Sequence, residues 1–198
     1  AYQVPVTIHP ADVPALAAAR IGSLADGRVV YDAPHDPAYA AQLLALVQGR
    51  VRPEGSLIGR PAESWTEELT PGAARVLSGE QSNTSIIIDA TTADGTPQPV
   101  IVKVFRRLAP GENPDVVLQT ALREAGCDRV PAVIGSVRGT WQLTAYAPTS
   151  GATLGGAASV DLAFAQEFLP GVQDAWRVAT RAVEDGSDFT AQARTLGT

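Results

Sequence analysis

Methionine is absent from all 198 residues, cysteine occurs once and histidine only twice. A single cysteine, Cys127, cannot close an internal disulfide, and with His9 and His35 as the only imidazoles there is no metal-ligand cluster. Cys127, between Gly126 and Asp128, reads as a structural residue in a loop, and His35 as a turn residue ahead of a helix. No apolar run approaches the length of a membrane span, and nothing at the start looks like a signal peptide. A formal charge of −6 provides no basic field for nucleic acid. These absences exclude nucleic acid and membrane as partners and leave a cytoplasmic protein that handles small molecules.

What is present is a chain 45% hydrophobic and 18% charged, enough for one large domain or two small ones. Its most informative stretch runs from Val76 to Phe105. Residues 78–85 read SGEQSNTS, all small, amide, acidic or hydroxyl, whereas Ile86-Ile87-Ile88 and Val100-Ile101-Val102 are β-branched and strand-forming. A polar turn between strands is expected, followed by reversal at Asp94-Gly95, so that residues 100–105 pair antiparallel with 86–88. Alternation puts Ile101, Lys103 and Phe105 on one face and Val100, Val102 and Val104 on the other. The Lys103 ammonium, set in an apolar strand, needs an anionic partner, and a phosphate would serve. A polar loop between two strands and a lysine on the third is the nucleotide-clamping layout of a protein-kinase-like fold. The usual run of glycines is missing, since only Gly79 stands there, and an ordinary hairpin with a snorkelling lysine has the same layout.

In chain order, residues 1–8 and 28–31 read as strands. A helix follows with Asp36 as N-cap, Pro37 in the first turn, an inward stripe of Tyr39, Leu43, Leu46 and Val47, and Gly49 as its stop. Residues 49–71, rich in proline and glycine, read as a connection with one short strand at 56–58. After Phe105, Arg106-Arg107 read as a solvated basic pair or as phosphate contacts. A second helix is capped by Asn113, with Pro114 and Asp115 in its first turn and a buried face of Val117, Leu118, Ala121, Leu122 and Ala125. Residues 130–137 and 140–146 read as two strands turning at Arg138-Gly139, residues 147–160 as a flexible small-residue loop, and 162–168 as a further strand. Trp141 is assigned to the core. Two helices close the chain, one from Asp174 to Val183, the other capped by Ser187 with Phe189, Ala193 and Leu196 on one face.

Three motifs sharpen the reading. GEQSNTS (79–85), VKVFRRLAPGENPD (102–115) and AFAQEFLPGVQDAW (163–176) resemble, in this order, actinobacterial maltokinases, sugar kinases related to aminoglycoside phosphotransferases. The resemblance runs through most of the chain from Tyr2 onward. It implies an α+β chain in three parts: an incomplete N-terminal cap (1–70), a kinase-like nucleotide-binding lobe with a mainly antiparallel five-stranded sheet and one helix (71–170), and the start of an intermediate helical subdomain (171–198). It also implies ATP contacts by Gln81, Ser82, Asn83, Thr84, Ser85 and Lys103, and adenine binding at a hinge over 166–169, with Glu167 and Leu169 as contacts. Where many maltokinases read NPD-x-E, this chain has Val117 in place of the glutamate, so the partner of Lys103 is left open; Glu124 lies about 10 Å further along the helix.

The resemblance implies transfer of the ATP γ-phosphoryl to maltose, giving maltose 1-phosphate for α-glucan synthesis. Glucosamine kinases of the same architecture, or a stand-alone non-catalytic regulatory module, are the alternatives. The family's His-Gly-Asp and Asp-Phe-Glu motifs do not occur, so no catalytic residue and no Mg²⁺ ligand is assigned. The expectation is a fragment that does not turn over alone and that associates with itself or with a trehalose synthase.

Overall fold

The computed structural model describes residues 1–53, 55–77, 82–145, 154–172 and 175–196, with the backbone alone for 141–145, 154–156 and 196. The chain divides into two compact units, 1–168 and 169–198.

The first unit opens with a small antiparallel sheet of β1 (Val6–His9), β2 (Arg20–Ser23) and β3 (Val29–Asp32) in the order β1-β3-β2. Strand β2 and the short 3-10 turn Pro14–Ala19 before it carry no alternation of polar and apolar residues, and the sequence did not announce them. Buried Tyr31 centres this sheet; its hydroxyl donates to Asp12 and accepts from the Val13 N–H. Helix α1 (Pro37–Val47) begins as expected: the Asp36 carboxylate accepts from the Ala38 N–H at 2.9 Å, and Gly49 takes φ 69° just past the end.

A six-stranded antiparallel sheet follows, in the order β4-β8-β9-β7-β6-β5. Its members are β4 (Ile58–Pro61), β5 (Leu69–Val76), β6 (Asn83–Thr92), β7 (Val100–Phe105), β8 (Val133–Ala145) and β9 (Leu154–Glu167), with α2 (Pro114–Glu124) between β7 and β8. The β6-β7 hairpin has the expected register, Ile86 opposite Val102 and Ile88 opposite Val100. Val100, Val102 and Val104 lie under Leu43, Leu44 and Val47 of α1 in one core; Phe105 and Phe164 belong to another, with Val116 of α2. Burial of a side chain such as Leu44 contributes about 1.5–3 kcal/mol. The helix lies so close to edge strand β4 that a Cβ on Gly59 would fall 1.6 Å from the Leu46 carbonyl oxygen.

Four expectations are corrected. The sheet has six strands, because β4 leaves the connecting segment to pair with residues 135–138 of β8. No turn occurs at Arg138-Gly139: β8 runs through with a register shift between Val137 and Arg138, and at Gly139 a Cβ would crowd the Leu162 side chain at 2.9 Å. The small-residue segment 147–160 is strand from Leu154 onward, paired to β8 along its length; small side chains suit a paired strand as well as a loop. Helix α2 does not bury the predicted stripe: Val117 is 46% and Leu118 62% exposed, and Val116 faces inward instead. Its rotation is set by polar tethers at both ends, Asn113 at the cap and Asp115 in the first turn, and Arg123, which donates to the carbonyls of Cys127 and Val130. The Trp141 side chain, assigned to the core, lies outside the described residues.

In the second unit, α3 (Ala175–Asp185) and α4 (Thr190–Leu196) form the two expected helices. Ser187 closes α3 through its N–H to the Ala182 carbonyl, and Asp188 accepts from the Thr190 N–H, so Asp188 rather than Ser187 caps α4. Of the stripe predicted for α4, Phe189 is partly buried and Ala193 exposed, while the Leu196 side chain lies outside the described residues.

Candidate functional site

Strand β7 puts Lys103 on the sheet face away from α1, opposite Ser85 on β6 and Phe164 on β9. Ser85 and Phe164 are fully buried, and only about a fifth of the Lys103 side chain meets solvent. Its ammonium is 3.4 Å from the Asp115 carboxylate. Asp115 is half exposed, so this ion pair is worth at most about 1 kcal/mol and is readily exchanged for another anion.

Asp115 is placed by the way α2 starts. Asn113 caps the helix by accepting from the Asp115 N–H at 2.9 Å, and donates its own N–H to the Asp161 carboxylate at 2.7 Å. Asp161 is buried and also accepts from Arg138 Nε at 2.9 Å; Arg138 reaches Glu112 at 3.0 Å. The hydrogen bond to Asp161 is the first cause that raises the Arg138 pKa above its ordinary value, so the guanidinium stays charged. The question raised by Val117 is thereby answered: the carboxylate on Lys103 comes from the first turn of the helix, and Val117 points into a cleft beside α2. The signal was available, since the residues Asn113-Pro114-Asp115 fix the helix start only ten residues after the lysine.

Of the remaining predicted contacts, Gln81 lies outside the described residues. Ser82 accepts the Arg106 N–H through its carbonyl at 3.2 Å, and Asn83 pairs with Phe105 at the head of β6. Thr84 falls on the opposite face from Lys103, where its hydroxyl accepts from Arg106 Nε at 2.9 Å. Arg106 is not solvated: its Nη2 grips both oxygens of Asp32 at 2.8 Å, tying β3 to the large sheet. Arg107 pairs with Tyr2 in an isolated bridge. At the end of β9, the Glu167 N–H donates to the Ala132 carbonyl and the Phe168 N–H to the Pro99 carbonyl, while the Glu167 carboxylate accepts from the Ala132 N–H. Leu169 belongs to the second unit. The structure therefore brings together Lys103, Ser85 and Asp115, and turns the Thr84 side chain away.

Among the described residues no group of three or more His, Cys, Asp or Glu side chains could hold a metal, and no helix is long and apolar enough to cross a membrane. An α+β unit with a lysine–carboxylate pair on one face of an antiparallel sheet, preceded by a small three-stranded sheet, is the class of protein these features define. Residues 1–36 match the family model described as the maltokinase N-terminal cap domain. These residues hold the whole β1-β3-β2 sheet and end at Asp36, the cap of α1, and over them the chain is similar to the maltokinase cap.

Proposed function

We propose that this chain is the nucleotide-holding part of an ATP-dependent sugar kinase that phosphorylates maltose to maltose 1-phosphate, with residues 1–70 as cap, 71–170 as the nucleotide lobe and 171–198 as the opening of a further subdomain. The observation that carries the reading is the Lys103–Asp115 pair: a third-strand lysine whose carboxylate comes from the helix that follows. Kinase catalysis rests on positioning and charge neutralisation, with such a lysine set on the nucleotide phosphates and held by a carboxylate from that helix. Strands β5 to β9 and α2 have the connectivity this needs, with α2 inserted in the chain between β7 and β8 and the strands ordered β5-β6-β7-β9-β8 in the sheet. The match of residues 1–36 to a maltokinase cap supports maltose as acceptor.

In this reading Lys103 neutralises phosphate charge, the backbone around Ser82 and Asn83 closes over it, and Asp115 keeps the ammonium in place when no nucleotide is there. Mg²⁺ would share that neutralisation, and none of the described residues is assigned to it. Calorimetric titration of Mg-ATP into the chain tests the proposal. Binding is expected near or above a millimolar dissociation constant, about 4 kcal/mol. Lys103→Ala should abolish it and Asp115→Asn should preserve or tighten it. Identical titrations for wild type and Lys103→Ala would overturn the assignment.

A further inference from the structure

Two residues before Lys103 on β7, and so about 6.7 Å back along the strand, Ile101 lies on the same sheet face. Its partner in register on β6 is Ile87, and Ile87 in turn stands opposite Arg75 on β5. Ile87 is buried and Ile101 half-buried, so this row is an apolar floor with a guanidinium at its edge. The Arg75 guanidinium lies over the ring of Phe168, just past the end of β9, with Cζ 5.9 Å from the ring centroid. Its Nη1 is 3.4 Å from the Asp89 carboxylate. Neither contact is tight. A cation at 5.9 Å is at the outer limit of a cation–π contact, about 6 Å, and the Asp89 pair is exposed at both ends. More than half of the Arg75 side chain meets solvent and Phe168 is only half-buried, so both groups are within reach of a ligand.

The backbone donors at this end are committed within the chain. The Glu167 N–H donates to the Ala132 carbonyl at 2.8 Å and the Phe168 N–H to the Pro99 carbonyl at 2.9 Å, so neither is left for a nucleobase. The side chains that remain accessible beside them are flat, a phenyl ring and a guanidinium. A guanidinium is planar and weakly hydrated and stacks on aromatic faces, which a compact, strongly hydrated ammonium does less well. Every nucleobase presents such a face. With its phosphates on Lys103, a nucleotide running back along β7 crosses Ile101 and brings its base to Arg75 and Phe168.

We propose that Arg75 and Phe168 form a base-holding clasp, in which the Arg75 guanidinium stacks on the nucleobase and Ile101 lies beneath it. The inference rests on the reading of Lys103 as the phosphate contact and adds a side-chain grip at the other end of the nucleotide. Asp89 holds the guanidinium when no base is there, as Asp115 holds Lys103. Both pairs are exposed enough to be exchanged for the ligand.

NMR titrations of the wild-type chain with Mg-ATP and, separately, with Mg-tripolyphosphate test the clasp, because the second ligand carries the phosphates and no base. Mg-ATP should shift the Arg75 Nε–H upfield, as a proton held over a ring is shifted, and move the Phe168 ring signals. Mg-tripolyphosphate should move the backbone amides of Ser85 and Lys103 and leave Arg75 and Phe168 unchanged. Arg75→Ala should weaken Mg-ATP binding by at least about threefold and leave Mg-tripolyphosphate binding as it was. Arg75→Lys keeps the charge and loses the plane, so it should recover only part of that loss. If Mg-ATP moves Ser85 and Lys103 but neither Arg75 nor Phe168, the clasp is refuted and the nucleotide reading stands. Equal shifts at Arg75 with both ligands would make it a phosphate contact, and an Arg75→Lys variant as good as wild type would make it a point charge; either result overturns the stacking. No shift anywhere with Mg-ATP at millimolar concentration would remove the nucleotide reading and the clasp together. The wild-type titrations decide the matter even if a variant fails to fold.

Discussion

Replacing Asp161 by alanine tests how the start of α2 is held. The carboxylate is buried, its side chain has no exposed surface, and it serves Arg138 Nε at 2.9 Å and the Asn113 N–H at 2.7 Å. Removing one partner of a buried ion pair typically costs about 3–5 kcal/mol, because the other charge is left uncompensated. Two facts move the figure in opposite directions. Arg138 keeps Glu112, but Glu112 is 60% exposed and compensates weakly. The Asn113 N–H loses a charge-assisted acceptor, worth about 1.5–3 kcal/mol. A loss of about 3–4 kcal/mol is expected, and at about 2–4 °C per kcal/mol for a unit of this size the midpoint should fall by about 6–16 °C. Urea unfolding at neutral pH measures it, with Asp89→Ala as control: the Arg75–Asp89 pair is exposed at both ends and should be worth less than about 1 kcal/mol. Asp161→Asn with Arg138→Met, which removes both charges, should recover much of the loss. If Asp161→Ala costs no more than Asp89→Ala, the buried pair does not hold the helix and the account of how Asp115 is positioned fails.

Three further outcomes follow from the same structure. Asp36→Ala should destabilise by about 1–2 kcal/mol, the range for a lost helix N-cap. Burial acts to raise the Asp36 pKa, but hydrogen bonds from His9, the Ala38 N–H and Thr7 outweigh it and hold the carboxyl below its ordinary value. A depressed folded-state pKa adds stability above the unfolded value, near 3.9, and that stability is lost as pH falls through the folded one. The wild-type advantage over Asp36→Ala should therefore shrink in urea titrations below about pH 4; an advantage constant down to pH 2 would refute the linkage. Gly59→Ala should cost more than about 2 kcal/mol by chemical denaturation, because the new Cβ meets the Leu46 backbone oxygen rather than a movable side chain; a neutral result would mean that β4 and α1 are further apart. Mixed with Mg-ATP and maltose, the 198-residue chain should release no ADP above background, since it contains neither catalytic-loop nor metal motif; steady maltose-dependent release would show that some other residue orients the acceptor.

Local chemistry was the legible part. Asp36-Pro37 and Asn113-Pro114 mark helix starts because capping needs only neighbouring residues, and the sequence expectation agrees with the structure at both. The β6-β7 hairpin was readable from its β-branched runs and the Asp94-Gly95 turn, down to the face that carries Lys103. Pairings between distant segments were not readable. Asp161 and Asn113 are 48 residues apart, and Arg106 and Asp32 are 74 apart; a single polar contact leaves no periodicity behind it. The same reason explains the misplaced face of α2, where an apolar stripe suggested burial and tethers at the helix ends decided otherwise. Small residues misled twice, at Gly139 and in the first half of β9, because glycine and alanine serve close packing as well as looseness.

The position of Asp115 makes α2 a lever whose fulcrum is its own ion pair. From Asp115 to Glu124 the axis runs about 13 Å at the usual helical rise, so a tilt of roughly 15° about the anchored end would carry Glu124 some 3–4 Å while Asp115 hardly moved. A carboxylate in the middle of the helix would swing with it and let go of the lysine. Here a tilt about the first turn would leave the contact on Lys103 closed, since the far end of the helix is tethered through Arg123 only to the loop that follows it.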